Sequence, residues 1–190
     1  MKNKTQKSNF FIFTLLLLAA VSALAYVFYI KSVSDRKIQQ ELSMGDFFPS
    51  FSLNNLANKS NLKLEDVKSQ IILVNFWASW CEPCVKEFDS MIQLATQMSE
   101  DEFSIVLISQ DESKEKAKSF KNSFGTLPKN IVSLFDHELT DERFSKEVGL
   151  SALPESFLLD QNRKIIRKVS GFENWAHPQV LEFIKSKYKK

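Results

Sequence analysis

Cysteine is almost absent from this sequence. The 190 residues hold two, Cys81 and Cys84, with two residues between them. There is no second cysteine pair, and the only histidines, His137 and His177, lie far off, so no zinc-binding spacing exists. A bridge across so short a loop removes little chain entropy and is a poor structural staple. No threonine precedes a lone cysteine in a T-x-x-C pattern, which argues against a peroxidase. Excess charge of one sign is missing too. Three of the 25 basic residues and none of the 23 acidic ones lie in the first 30 positions, leaving 22 basic against 23 acidic groups in the rest. That balance offers no electrostatic footprint for nucleic acid. Internal repeats and low-complexity tracts are absent as well.

What is present begins with an apolar run. Phe10 to Ile30 is 21 residues without a charge, enough to cross a bilayer as a helix, with Tyr26 and Tyr29 near one end where an interface suits them. Ala23-Leu24-Ala25 has the small-x-small form of a signal-peptide cleavage site after Ala25, the rival to a retained anchor. The apolar stretch runs past that site, which favours retention as a signal-anchor over residues 10–30. No cysteine follows it for lipid attachment. Lys2, Lys4 and Lys7 favour a cytoplasmic N-terminus over 1–9 and put the rest outside the cytoplasm, at the bacterial cell membrane. Residues 31–45 read as a polar tether, and 46–190 as one globular domain with 17 Phe in the chain to build a core.

Within that domain, Phe47 to Leu53 alternates and predicts a short edge strand, with Pro49 keeping it off the sheet centre. Asn54–Asn61 reads as a loop and Leu62–Val67 as a helical turn. Buried strands are predicted from Ile71, over Phe103–Ser109 and over Ile131–Phe135. Helices are predicted after Cys84, over 113–124, from Leu139 to Val148 and from Trp175 to Tyr188. Ser156–Leu159 and Lys164–Ser170 read as a hairpin turning at Asp160–Arg163. Strands alternating with helices and ending in a hairpin and a helix imply an α/β fold, a mixed sheet covered on both faces.

The cysteines sit where the Ile71 strand turns into a helix, in V-N-F-W-A-S-W-C-E-P-C. Pro83 falls in the first helical turn, where its missing N–H costs little. The free N–H groups and the helix dipole point at Cys81 and favour thiolate, the nucleophile of disulfide exchange. A C-x-x-C at a strand end in this pattern reads as a thioredoxin-like redox motif.

Two stretches, N-F-W-A-S-W-C-E-P-C-V-K-E-F at 75–88 and G-L-S-A-L-P-E-S-F-L-L-D at 149–160, together with the N-terminal apolar run, resemble the membrane-anchored TlpA/ResA/CcmG-like thiol–disulfide oxidoreductases of the thioredoxin superfamily, ResA-like members above all. The resemblance covers roughly Gly45 to Lys185. It implies a thioredoxin-like sheet flanked by helices. It makes Cys81 the exposed attacking cysteine and Cys84 the buried resolving one. Glu82 and Pro83 tune the pair, and Trp77 and Trp80 shape the apolar surface, with simple core packing the alternative for Trp77. Pro154 matches the family's cis-proline, beside which an extended substrate would pair. Ordinary thioredoxin has a buried aspartate where this chain has Asn75, so the base for Cys84 must lie elsewhere; Glu87, one turn further along the helix, matches the family's glutamate. Glu155 is either a site-facing carboxylate or surface.

The expected activity is reduction of disulfides in client proteins, apocytochrome c being the client the resemblance favours, with recharging by a membrane electron carrier of the CcdA/DsbD type. No bound cofactor and no metal are needed for two-electron exchange between sulfurs. Two alternatives stay open: an oxidase or isomerase of opposite sense, and a Cu(I)-binding chaperone, for which only Met91 and Met98 lie near the motif.

Overall fold

The computed structural model describes residues 3–37, 41–58, 60–136 and 143–188. It divides into two units, Met1–Gln40 and Glu41–Lys190. The first is a helix, α1 (Asn3–Lys37). Its stretch Ile12–Lys31 is long and apolar enough to cross a membrane, with a mean hydropathy of 2.3. Side chains all round it, Leu15 to Leu18 and Phe28 among them, are exposed. No glycine or proline interrupts α1, so nothing stops it at Ile30. The polar segment expected as a tether from residue 31 is therefore helical as far as Lys37.

The second unit carries β1 (Ser52–Asn55), β2 (Asn61–Lys63), β3 (Ile71–Trp77), α2 (Glu82–Thr96), β4 (Phe103–Ser109), α3 (Lys114–Ser123), β5 (Ile131–Phe135), α4 (Phe144–Glu147), β6 (Glu155–Leu159), β7 (Ile165–Ser170) and α5 (Pro178–Lys185). The strands form one sheet in the order β2-β1-β5-β4-β3-β6-β7. The pairs β3–β4 and β4–β5 are parallel and the others antiparallel. Every residue of β3 and β4 is buried, as central strands covered on both faces must be.

Alternation along β3 sends Ile71, Leu73 and Trp77 to one face and Ile72, Val74 and Phe76 to the other. The first face packs against α2, α3 and α5 through Phe88, Met91, Leu94, Ala117, Val180 and Ile184. Trp77, Phe88, Phe120 and Phe124 touch ring to ring there, at centroid distances of 4.5 to 5.4 Å. The second face is covered by Phe48 and Phe51, which precede β1, and by Phe144 of α4, packed around Phe157 and Phe76.

Three boundaries differ from expectation. Phe47 makes one isolated bridge to Lys164, and the strand starts only at Ser52. Pro49 has no N–H for a ladder, so Phe48 and Phe51 lie over the sheet instead of joining it. β1 is not an edge either, because β2 pairs outside it; the helical turn expected from Leu62 is β2 followed by a single 3-10 turn, Leu64–Asp66. The last helix starts at Pro178 rather than Trp175, with His177 Nδ1 accepting from the Gln179 N–H at 3.3 Å as its cap. Of the helix expected over Leu139–Val148, α4 is what lies among the described residues, and His137 lies outside them.

Candidate active site

β3 delivers its chain to the site end of the sheet at Trp77, and the next seven residues carry the chemistry. Their path is pinned by the end of β4. The Gln110 N–H donates to the Trp77 carbonyl at 2.7 Å. Asp111, buried, accepts from the Ser79 N–H at 3.0 Å and the Ser79 hydroxyl at 2.6 Å through Oδ1, and from the Ser109 hydroxyl at 2.9 Å through Oδ2. Cys81 then caps α2: its Sγ accepts from the Cys84 N–H at 3.3 Å. Pro83 occupies the first turn, as its lack of an N–H allows.

Cys81 and Cys84 form a disulfide, with Cα atoms 5.3 Å apart. Cys81 is 5% exposed and Cys84 1%. The expected contrast between an exposed and a buried cysteine is thus slight in the disulfide state, because Cys81 is tucked under the turn that it caps. The open surface beside it comes from Trp80, 64% exposed, and from the exposed Glu82 and Pro83. Glu82 turns to Lys86, 2.7 Å away, and that hydrogen bond and charge hold its carboxyl below the usual range.

Glu87 sits on the buried face of α2, among Cys84, Phe88 and Met91, where the helix pattern alone would place an apolar residue. It is fully buried. Its Oε1 accepts from Asn75 Nδ2 at 2.7 Å and its Oε2 from the Glu173 N–H at 3.2 Å. Burial pushes its pKa from 4.5 up to about 7, against the lowering effect of those two hydrogen bonds and of the nearby Trp175 indole N–H, while the Glu173 charge adds to the rise.

The Leu153–Pro154 peptide bond is cis. β6 begins at the next residue and runs antiparallel to β3, with Glu155 opposite Phe76, so the register brings Pro154 to the sheet end where β3 hands over to the dithiol. The Gly171 N–H donates to the Pro154 carbonyl at 2.8 Å. Gly171 has φ +89°, a left-handed conformation that a side chain would strain, and Phe172 next to it is exposed.

Glu155 is neither site-facing nor surface. It is fully buried on the face of Phe157, opposite α2, where its Oε1 accepts from Ser170 Oγ and Lys168 Nζ, both at 2.9 Å. Three residues at this centre were not singled out in the sequence: Asp111, Ser156 and Glu173. They stand 30, 75 and 92 positions from Cys81, and no local pattern marks them. Among the described residues no group of three or more His, Cys, Asp or Glu gathers as a metal-ligand cluster.

A family model described as Redoxin matches residues 43–183. The chain belongs to the redoxin family. Its relatives include the thiol-disulfide oxidoreductase ResA of Bacillus subtilis, 31% identical over 166 residues that cover 87% of each chain. ResA of Bacillus anthracis is 28% identical over 166 residues, 87% of this chain and 90% of that one. Among solved structures, the thioredoxin domain of a thiol-disulfide oxidoreductase from Bacteroides vulgatus superposes with a TM-score of 0.64 at 20% identity, over 76% of this chain and 99% of that one. A thiol:disulfide interchange protein from Bacteroides sp. gives 0.62 at 22% identity, over 77% and 93%. The fold is thioredoxin-like, and this redoxin is a thiol–disulfide oxidoreductase with a Cys81–Cys84 redox pair.

Proposed function

We propose that this redoxin works as a reductant, anchored by α1 with its globular unit outside the cytoplasm, and passes two electrons to a disulfide in a client protein. In the reduced state the Cys81 thiolate attacks one client sulfur, and its electron pair forms the mixed disulfide while the other client sulfur leaves as thiolate. Cys84, deprotonated, then attacks Cys81 Sγ, closes the intramolecular disulfide and releases the second client sulfur. The client gains two electrons and the enzyme is oxidised.

The observation that carries this reading is Glu87. Its carboxyl, buried one helical turn beyond Cys84 and poised at about 7, suits a general base that takes the Cys84 proton near neutral pH. Pro154 supplies the backbone beside which an extended client segment pairs, and Trp80 the apolar surface for it. The resemblance of 75–88 and 149–160 to the ResA-like family favours haem-attachment cysteines of an apocytochrome c as the client pair. The lysines that precede the apolar stretch of α1 support the outward orientation. Outside the cytoplasm the surroundings are oxidising, so a membrane electron carrier of the CcdA/DsbD type must restore the dithiol.

The test is the reduction potential of Cys81–Cys84, measured in defined thiol buffers with tryptophan fluorescence as readout. A value near about −270 mV, the thioredoxin end of the scale, supports a reductant, and one near about −120 mV overturns that direction.

A further inference from the structure

Asn75 is the one polar residue of β3, fully buried among Ile71, Leu73 and Trp77. A buried amide is costly unless its hydrogen bonds are made. Both of its N–H hydrogens are used on one side: Nδ2 donates to Glu87 Oε1 at 2.7 Å and to Ser156 Oγ at 2.9 Å. Its Oδ1 is buried with no partner among the described residues. An amide presents a donor end and an acceptor end of nearly equal shape. The groups facing Asn75 are both able to change role. A carboxyl accepts when ionised and donates when protonated, and a hydroxyl does either by turning about its C–O bond.

We propose that Asn75 and Ser156 are a positioning pair that satisfies the Glu87 carboxyl in both protonation states, so that Glu87 takes and returns the Cys84 proton without leaving its place. With Glu87 ionised, Nδ2 donates to both neighbours, as observed. With Glu87 protonated, a half-turn of the Asn75 amide brings Oδ1 to the same spot, where it accepts from the Glu87 O–H and the Ser156 O–H. One proton arrives from Cys84, no other group gains or loses one, and the hydrogen bonds reverse direction. The unpartnered Oδ1 is what the ionised arrangement leaves over. An aspartate at this position would instead set a second carboxylate beside the first, and the two would share a proton in coupled steps. The other groups at Glu87 are Cys84 on its own helix, the Trp175 indole ahead of α5, whose N–H favours the charged carboxylate, and Glu173 after β7, whose backbone N–H donates to Oε2, whose negative charge opposes ionisation and whose side chain is held by Arg167. β3 and β6 contribute only the uncharged Asn75 and Ser156 there.

This inference rests on Glu87 being the base, and the experiment separates the two. The full chain in detergent is assayed for insulin-disulfide reduction as a function of pH. The Asn75 side-chain amide resonance is followed by nitrogen NMR over the same range. In the unaltered protein the rate has an inflection near the Glu87 value, and the amide resonance shifts through it. Asn75→Leu removes donors from the charged form, and charge-assisted bonds are the stronger ones, so the inflection moves up by about one pH unit. Ser156→Ala moves it the same way by less, and Ser156→Thr restores it. Glu87→Gln abolishes it. An inflection that survives Glu87→Gln defeats the base and this inference together. If Glu87→Gln abolishes it while Asn75→Leu and Ser156→Ala leave it in place and the amide resonance stays still, this inference alone is overturned. Should Asn75→Leu fail to fold by circular dichroism, the Ser156 variants and the amide resonance decide.

Discussion

Glu87 has a thermodynamic consequence separate from its proposed role as a base. Its folded pKa of about 7 lies above the ordinary 4.5, so the folded protein holds a proton that the unfolded chain releases. The stability this contributes is fully present below pH 4.5 and is lost as pH rises through about 7. A shift of this size corresponds to about 3 kcal/mol. Urea unfolding of the wild type should therefore show stability falling across that window, whereas Glu87→Gln should be flat there and more stable than wild type at pH 8. Equal pH dependence in the two proteins would contradict the assignment. Asp111 is the second residue to test. It holds Ser79, two residues before Cys81, by both backbone and hydroxyl. Asp111→Ala leaves the buried Ser109 hydroxyl and the Ser79 N–H without that acceptor, so about 2 kcal/mol of stability should go, and disulfide exchange should slow as the loop loosens. Neither residue's partners were legible locally: Ser79 and Asp111 meet only because β3 and β4 end side by side.

At the scale of elements, α2 matters most, since it carries Cys84 and Glu87 and is capped by Cys81. Phe88 docks it to the sheet, with rings of Trp77, Phe120 and Phe124 within 5.4 Å. Phe88→Ala empties the centre of that cluster and should cost about 3 to 5 kcal/mol in chemical denaturation. The loss should come with a changed potential, because the helix N-terminus that faces Cys81 shifts with it. β4 and β5 were readable from their continuous apolar runs, and α2 from its period of buried positions. The Phe47–Leu53 segment was not, since alternation over a proline looks like a strand whether it joins a sheet or lies across one. Glu155 misled for a related reason. The residue after Pro154 is beside the site in sequence, but strand alternation turns its side chain to the far face, onto Lys168 and Ser170.

For the whole molecule, the division at residue 40 makes a direct prediction. A fragment 41–190 contains all seven strands and both faces of the core, so it should be monodisperse without detergent and unfold cooperatively. The full chain, with the bare apolar surface of α1, should require detergent or lipid. A fragment that aggregates or lacks a cooperative transition would refute that independence. The sequence alone determined the apolar helix, the order of most strands and helices and the dithiol at a helix start, because each depends on residues within a few turns of one another. Tertiary structure alone decided that Asn75, Glu87, Ser156 and Glu173 meet at one buried point. Their contacts span up to 86 positions and arise from strand register, which assigns each side chain a face only once the sheet has formed.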